Sequence, residues 1–273
     1  MALKPEYKIT ALKTGTLTVD KAAVTYMSGF DRRIDIPVWS AAVETGGLKI
    51  LVDTGISDHE RWNRELSPCW HEEDETIEAA LSMIGWRIRD VDIVINSHLH
   101  YDHAENNTRF AGAQFVVSRA EWEYAKDPIP SQRKAYDFSW TDESTTYKDY
   151  QLIAVDDFDL LPGIRLIQTP GHSRGHQSIL VNTAEGVVCI AGDAACLPES
   201  FSSPSAPGVA TSIEEGFRSL ERIRDTSDRV FMNHDPNIVK YQDSGFLIVP
   251  KVGDAPIEGS IESLPPRIIH HHH

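Results

Sequence analysis

The sequence predicts a layered α/β domain with sheets inside and helices outside. Short β-prone runs fall into two groups, and segments of helical period lie among them. No low-complexity linker and no internal repeat divides the chain, so residues 1–269 are expected to form one domain.

Taken in order, residues 7–18, 23–27 and 37–45 are rich in Val, Thr and aromatic residues. Turn formers such as Thr45-Gly46-Gly47 separate them, and each is expected as a strand. Residues 48–52 form a strand ending in Asp53-Thr54-Gly55. A helix is expected over 76–84, where Ile77, Leu81 and Ile84 share a face, followed by a strand over 91–95 that runs into a histidine-rich loop. Residues 114–117 form a strand, and Ser118 with Glu121 has capping-box spacing for the next helix, so Glu121 and Glu123 read as solvated. Residues 127–150, with Pro128, Pro130 and Trp140, read as an irregular insertion. Strands follow at 164–168, 177–181 and 187–191. Thr211 and Glu214 cap a helix with Ile213, Phe217, Leu220 and Ile223 on one face, and 229–232 is the last obvious strand. A polar, Pro-rich extension is expected from about 245, and His270–His273 reads as a purification-tag remnant.

Composition narrows the function. With 41% hydrophobic and 25% charged residues among 273, the chain has the material for a soluble core. Its formal charge of −15 argues against a nucleic-acid or anionic-membrane partner, since either needs a basic face. No segment approaches the ~20 apolar residues that span a bilayer. Three cysteines without CxxC spacing point to a reducing compartment, and with no signal-like N-terminal stretch a cytoplasmic location is expected.

Setting the tag aside leaves eight of the twelve histidines, and their placement is the strongest feature of the chain. Ser97-His98-Leu99-His100-Tyr101-Asp102-His103 sets four metal-competent side chains just after a strand. Side chains two apart on extended backbone point the same way, so His98 and His100 can grip one ion. A turn then redirects Asp102 and His103 toward a second. His172, Asp193 and His234 each follow a further strand, which is how a layered sheet presents a site at its edge. Any one of these three alone reads as a loop cap. The compact cluster does not, because a core cannot satisfy so many adjacent polar groups without metal or water. Imidazole and carboxylate suit Zn, Mn, Fe or Co.

The pattern His98-x-His100-x-Asp102-His103, with His172, Asp193 and His234 in that order, resembles the metallo-β-lactamase superfamily over about residues 35–240. Val52-Asp53-Thr54-Gly55 and Thr169-Pro170-Gly171-His172 belong to the same match. Within the superfamily the chain is most similar to N-acyl-homoserine lactonases and the related pyridoxolactonase, through residues 97–107, 170–178 and Gly192-Asp193-Ala194-Ala195.

The resemblance implies an αββα sandwich of two mixed sheets with outer helices and two divalent ions, zinc foremost. His98, His100 and His172 would hold one ion and Asp102, His103 and His234 the other, with Asp193 bridging. Asp53 would orient a ligand histidine, a role compatible with an Asx-type turn after its strand, and His176 would support the loop around His172. The implied reaction opens the ester bond of a small lactone of the N-acyl-homoserine type. A metal-bridging hydroxide attacks the carbonyl, and Asp102 shuttles a proton to the leaving alkoxide. No covalent intermediate is needed, and the Gly-x-Ser-x-Gly nucleophile elbow is expected to be absent. An aryl ester, thioester or β-lactam substrate is the alternative, and a non-enzymatic metal-dependent binding protein the remote one. A homodimer is left open.

One position departs from the lactonases. Three residues beyond the bridging aspartate they usually carry a tyrosine that holds the substrate carbonyl, and here Cys196 stands there. Three readings stay open. Cys196 is a small buried residue without a role, or Tyr101 or Tyr136 reaches in instead, or the substrate is not a homoserine lactone. Trp39 and Phe30 are expected as apolar pocket wall. The segment carrying His59, Trp62, Cys69, Trp70 and His71 is expected over the pocket.

Overall fold

The computed structural model describes residues 5–136, 150–203 and 205–249. The strands are β1 (Lys8–Asp20), β2 (Arg33–Thr45), β3 (Leu48–Val52), β4 (Cys69–Trp70), β5 (Ile93–Ile95), β6 (Gln114–Ser118), β7 (Tyr150–Ile153), β8 (Asp157–Leu161), β9 (Ile164–Gln168), β10 (Gln177–Thr183), β11 (Gly186–Ile190), β12 (Arg229–Phe231) and β13 (Leu247–Ile248). The helices are α1 (Lys21–Val24), α2 (His59–Glu65), α3 (Ile77–Met83), α4 (Tyr101–Ala104), α5 (Arg119–Lys126), α6 (Glu199–Ser202), α7 (Ile213–Thr226) and α8 (Ile238–Tyr241).

The strands form a seven-stranded sheet, β4-β1-β2-β3-β5-β6-β7, and a six-stranded sheet, β13-β12-β11-β10-β9-β8. Both are mixed, with β3, β5, β6 and β7 parallel in the first and β11 and β12 parallel in the second. Successive side chains of a strand face opposite ways, which sorts each strand between two cores. Ile50 and Val52 of β3, Ile93 and Ile95 of β5, and Val188 and Ile190 of β11 meet between the sheets. The intervening Leu51 and Val94 pack outward with Ile77 and Leu81 of α3, and Cys189 packs outward with Leu220 and Ile223 of α7. Helix, sheet, sheet and helix therefore stack as an αββα sandwich. Each fully buried aliphatic side chain stabilises this stack by roughly 1.5–3 kcal/mol.

Several local expectations are corrected. Residues 23–27 are not a strand: α1 ends at Val24, and Met27 and Asp31 take left-handed backbone (φ 56° and 60°) that no strand accommodates. Ser118 does not cap α5; its hydroxyl donates to Gln168 Oε1 instead. The cap of α7 is Ser212, which accepts from Glu215 N, while the Thr211 hydroxyl donates to Gly171 O. β4, β7, β8 and β13 are additional short strands, and β13 pairs with β12 while Phe246 and Val249 beside it are buried. Residues 137–149, including Trp140, and residues 250–273 lie outside the described residues.

The strand directions position the site. β3 leads into Asp53, β5 into Ser97-His98, β9 into Thr169–His172, β11 into Asp193 and β12 into His234. β9 and β11 are both antiparallel to β10, so these five C-terminal ends share one edge of the sandwich. Ligands of open α/β sheets sit at such edges.

Candidate metal centre

After β5 the chain stays extended through His98 and His100, then turns into α4 with His100 as the preceding cap residue. That change of backbone separates the two pairs. His98 Nε2 and His100 Nδ1 lie 3.1 Å apart, and His172 Nε2 comes to 2.9 Å from the same His100 nitrogen. On α4, Asp102 Oδ2 lies 3.5 Å from His103 Nε2 and 3.7 Å from His234 Nε2. Asp193 sits between the two groups. Its Oδ2 is 3.3 Å from His172 Nε2, and its Oδ1 is 3.3 Å from His103 Nε2 and 3.0 Å from His234 Nε2.

All seven side chains are buried, none more than 6% exposed. Their outer nitrogens are held from behind. His172 Nδ1 donates to Val209 O and His234 Nδ1 to Pro37 O, each at 2.8 Å, which leaves the Nε2 lone pairs facing inward. His103 Nδ1 meets Asp53 Oδ2 at 2.8 Å, and His98 Nδ1 meets Ser97 Oγ at 3.1 Å. The result is a set of buried acceptors aimed at one another. Among the described residues, His103 Nε2 and Asp193 Oδ1 have no hydrogen-bond partner. Orphaned buried polar atoms are rare in folded proteins, and a divalent cation satisfies them. Three groups of ligand atoms lie within 4.8 Å of one another: His98, His100 and His172; His98, His103 and Asp193; and Asp102, His103 and His234. The donor set fits a divalent metal.

The charges agree with this geometry. Burial pushes the Asp193 carboxyl up, yet His234, His103 and His172 hold it well below the usual carboxylate range. Burial likewise opposes Asp102, which His103 keeps ionised. His98 and His100 are driven well down by burial and by neighbouring histidines, so they stay neutral and able to ligate.

Comparison with known proteins places this edge in a family. The model of the Metallo-beta-lactamase superfamily matches residues 33–234, the span that carries all seven side chains. The chain belongs to the metallo-beta-lactamase superfamily. An N-acyl homoserine lactonase of Bacillus cereus is 30% identical over 266 residues, 92% of this chain and 99% of that protein. A solved N-acyl homoserine lactone hydrolase, with the product N-hexanoyl-L-homoserine at its catalytic metal centre, superposes with a TM-score of 0.72. It is 25% identical and covers 91% of this chain and 99% of its own. A dizinc quorum-quenching lactonase shares the fold at a TM-score of 0.67 and 16% identity, covering 86% of this chain and 89% of its own.

Of the other residues expected from the sequence, Asp53 and His176 touch this edge. Asp53, at φ 59°, accepts from Ser97 N and Ser97 Oγ at 2.7 Å and from Asn233 Nδ2 at 3.2 Å, besides meeting His103. His176 contacts Thr169 Oγ1 at 2.9 Å and accepts from Asp193 N at 2.9 Å, so it backs the aspartate as well as the loop. Cys196 is buried with its Sγ 3.9 Å from Asp193 O, and burial keeps its thiol protonated. Tyr101 packs beside it, its ring 4.3 Å from Trp62, and its hydroxyl makes no hydrogen bond to any described residue. The Tyr136 hydroxyl is committed to Glu121 at 2.8 Å. Trp39 lies in the inter-sheet core, its Nε1 donating to Asp235 O, instead of forming a free pocket wall. Phe30 is 61% exposed. His59 and His71 face each other at 3.1 Å, half-buried, and burial pushes the neighbouring Cys69 thiol up to about 12.

Two sequence readings fail here. Gly171-His172-Ser173-Arg174-Gly175 does spell the nucleophile-elbow pattern. Ser173, however, is fully buried, out of reach of a substrate carbonyl, and its hydroxyl is committed to Glu121 Oε2 at 2.6 Å. Glu121, expected in solvent, is wholly buried and accepts four hydrogen bonds. Its local spacing gave no signal, because Ser-x-x-Glu after a strand reads as a cap. The nearer clue was Gly175, whose lack of a side chain permits the helix to approach: a Cβ there would lie 1.9 Å from Glu121 N.

Proposed function

We propose that this chain is a metal-dependent hydrolase that opens the ester bond of a lactone of the N-acyl-homoserine type. The observation that carries the reading is Asp193: one carboxylate faces His172 with one oxygen and His103 and His234 with the other. In this reading His98, His100 and His172 would hold one divalent ion, Asp102, His103 and His234 would hold a second, and Asp193 would serve both. Two such ions, zinc foremost, would acidify a water and polarise the ester carbonyl.

The chain's own residues then have distinct tasks. Asp102 stands at the edge of the centre, kept ionised by His103, where it can take a proton and pass it to the leaving oxygen. Asp53 fixes the tautomer of His103, and His176 fixes the backbone that presents Asp193. Tyr101 shares an apolar cluster with Cys196 and carries a hydroxyl that no described residue engages. The N-acyl homoserine lactonases that match most of this chain support the substrate class.

Metal analysis with a substrate panel tests the reading. The panel holds γ-lactones of several acyl lengths, an aryl ester, a thioester, a β-lactam and a phosphodiester. Two ions per chain and a clear preference for the acylated lactones are expected. An active protein holding fewer than two ions overturns the dinuclear mechanism, and a preference for any other substrate overturns the lactonase assignment.

A further inference from the structure

Asp53 serves one half of the proposed centre directly, through His103. The other half has its own buried carboxylate, and it is Glu121, on the first turn of α5. Glu121 Oε1 accepts from Leu99 N at 3.1 Å and from the Tyr136 hydroxyl at 2.8 Å. Its Oε2 accepts from the Ser173 hydroxyl at 2.6 Å and from Gly175 N at 3.1 Å. Leu99 lies between His98 and His100. Ser173 follows His172. The Tyr136 ring stands edge-on to His100, 4.6 Å between centroids. All four donors are neutral, and all four belong to segments that carry or touch the same three histidines.

Helix α5 reinforces this hold at a second point. The Tyr124 hydroxyl donates to Gln132 Oε1 at 3.0 Å, and Gln132 Nε2 donates to the His172 carbonyl at 2.6 Å. The Gly175 backbone is pressed against Glu121 with no room for a side chain. The loop carrying His172 is thus seated on α5, and the backbone between His98 and His100 hangs from the same carboxylate.

We propose that Glu121 is a positioning residue that ties the His98–His100 strand end to the His172 loop, and so sets metal affinity in that half alone. The inference rests on the dinuclear reading above. A carboxylate is required because two of the four donors are backbone N–H groups, which cannot reverse. Glutamine is the same size, but its NH2 must face one donor pair and leaves a backbone N–H unpaired.

The test is zinc titration of the metal-free protein against a chromogenic chelator, comparing wild type with Glu121→Gln. Wild type is expected to show two tight sites. E121Q is expected to weaken one of them 10- to 100-fold, the range seen when groups behind metal ligands are lost, and to leave the other unchanged. His172→Ala removes a ligand of the same half, so adding E121Q to it should weaken binding little further. Equal affinities in wild type and E121Q overturn the proposal, as does equal weakening of both sites. Tyr136→Phe and Ser173→Ala each remove one donor and keep the carboxylate, so they decide the matter if E121Q does not fold. A weakened site in the same half supports the proposal, and two unchanged sites overturn it. A wild type that binds a single ion overturns the dinuclear reading itself, a failure visible without any variant.

Discussion

Asp53 Oδ2 stands 2.8 Å from His103 Nδ1, both groups sealed from solvent, at the turn where β3 leaves the sheet. The aspartate adopts left-handed backbone there, and the same carboxylate receives the Ser97 N–H and hydroxyl. One residue thus joins the ends of β3 and β5 and dictates which nitrogen of His103 faces the centre.

Asp53→Asn is therefore expected to lower metal affinity 10- to 100-fold, with kcat/KM falling alongside. The amide must place a donor against either the Ser97 N–H or the His103 N–H. Competition with a chelator measures the loss, and affinity equal to wild type would remove Asp53 from its orienting role. Asn also tolerates left-handed backbone, so folding stability should change far less than metal binding.

The part of the site legible in the sequence was the part written in adjacent residues. His98, His100, Asp102 and His103 declare themselves because no core satisfies four such neighbours. His172, Asp193 and His234 declare themselves because each follows an apolar run. Glu121 was illegible for the opposite reason. Its partners come from segments near residues 99, 136 and 173, and its own spacing imitates a surface cap. The fold behaved similarly. Strands buried on both faces, such as β3 and β11, stood out as Val- and Ile-rich runs, whereas two-residue β4 and β13 exist only through pairing with β1 and β12. Residues 23–27 misled because β propensity was overridden by a turn whose Tyr26 N–H bonds Ala206 O.

Gly171→Ala is expected to destabilise the protein by at least about 2 kcal/mol and to abolish most activity. Gly171 sits at φ 138°, and a Cβ there would lie 2.4 Å from Gly216 N and 2.5 Å from its Cα, where neither backbone can yield. The displaced residue is next to His172. Gly112→Ala is the control: no heavy atom lies within 4 Å of its Cβ position, and stability should stay within about 0.5 kcal/mol of wild type. Urea denaturation of both variants measures the difference.

The metal-free protein should lose stability as pH falls from about 7 to 5, and His176 supplies an identifiable share. Burial, then the neighbouring His172, pushes His176 down to about 3, while in the unfolded chain it titrates near 6.5. Between these values the unfolded state binds the extra proton, so stability rises with pH and falls on acidification. The share is about 2 kcal/mol between pH 7 and pH 5. His176→Gln should flatten the urea-measured pH slope by that amount. His103 and His234, raised by surrounding aspartates, are common to both proteins and cancel in the comparison. Identical slopes would mean that His176 is not held neutral.

Cys196 and Tyr101 share one apolar cluster, and their side chains make opposite predictions. The Cys196 thiol is a weak donor whose nearest acceptor, Asp193 O, lies 3.9 Å away, so Cys196→Ala should leave kcat within about threefold of wild type. Cys196→Tyr should lose roughly 1–3 kcal/mol of stability and gain no rate, because Cys196 and Leu197 are already sealed and a phenol overfills the space. Tyr101 is held protonated by burial and by the negative charge of Asp102, so its hydroxyl stays a donor across the working pH range. Tyr101→Phe is expected to reduce kcat on lactones on the order of 10²-fold, the effect of losing one donor to a developing oxyanion, with KM little changed. Steady-state kinetics on the three variants separate the alternatives. A Tyr101→Phe enzyme with wild-type kcat would leave carbonyl activation to the metal centre alone.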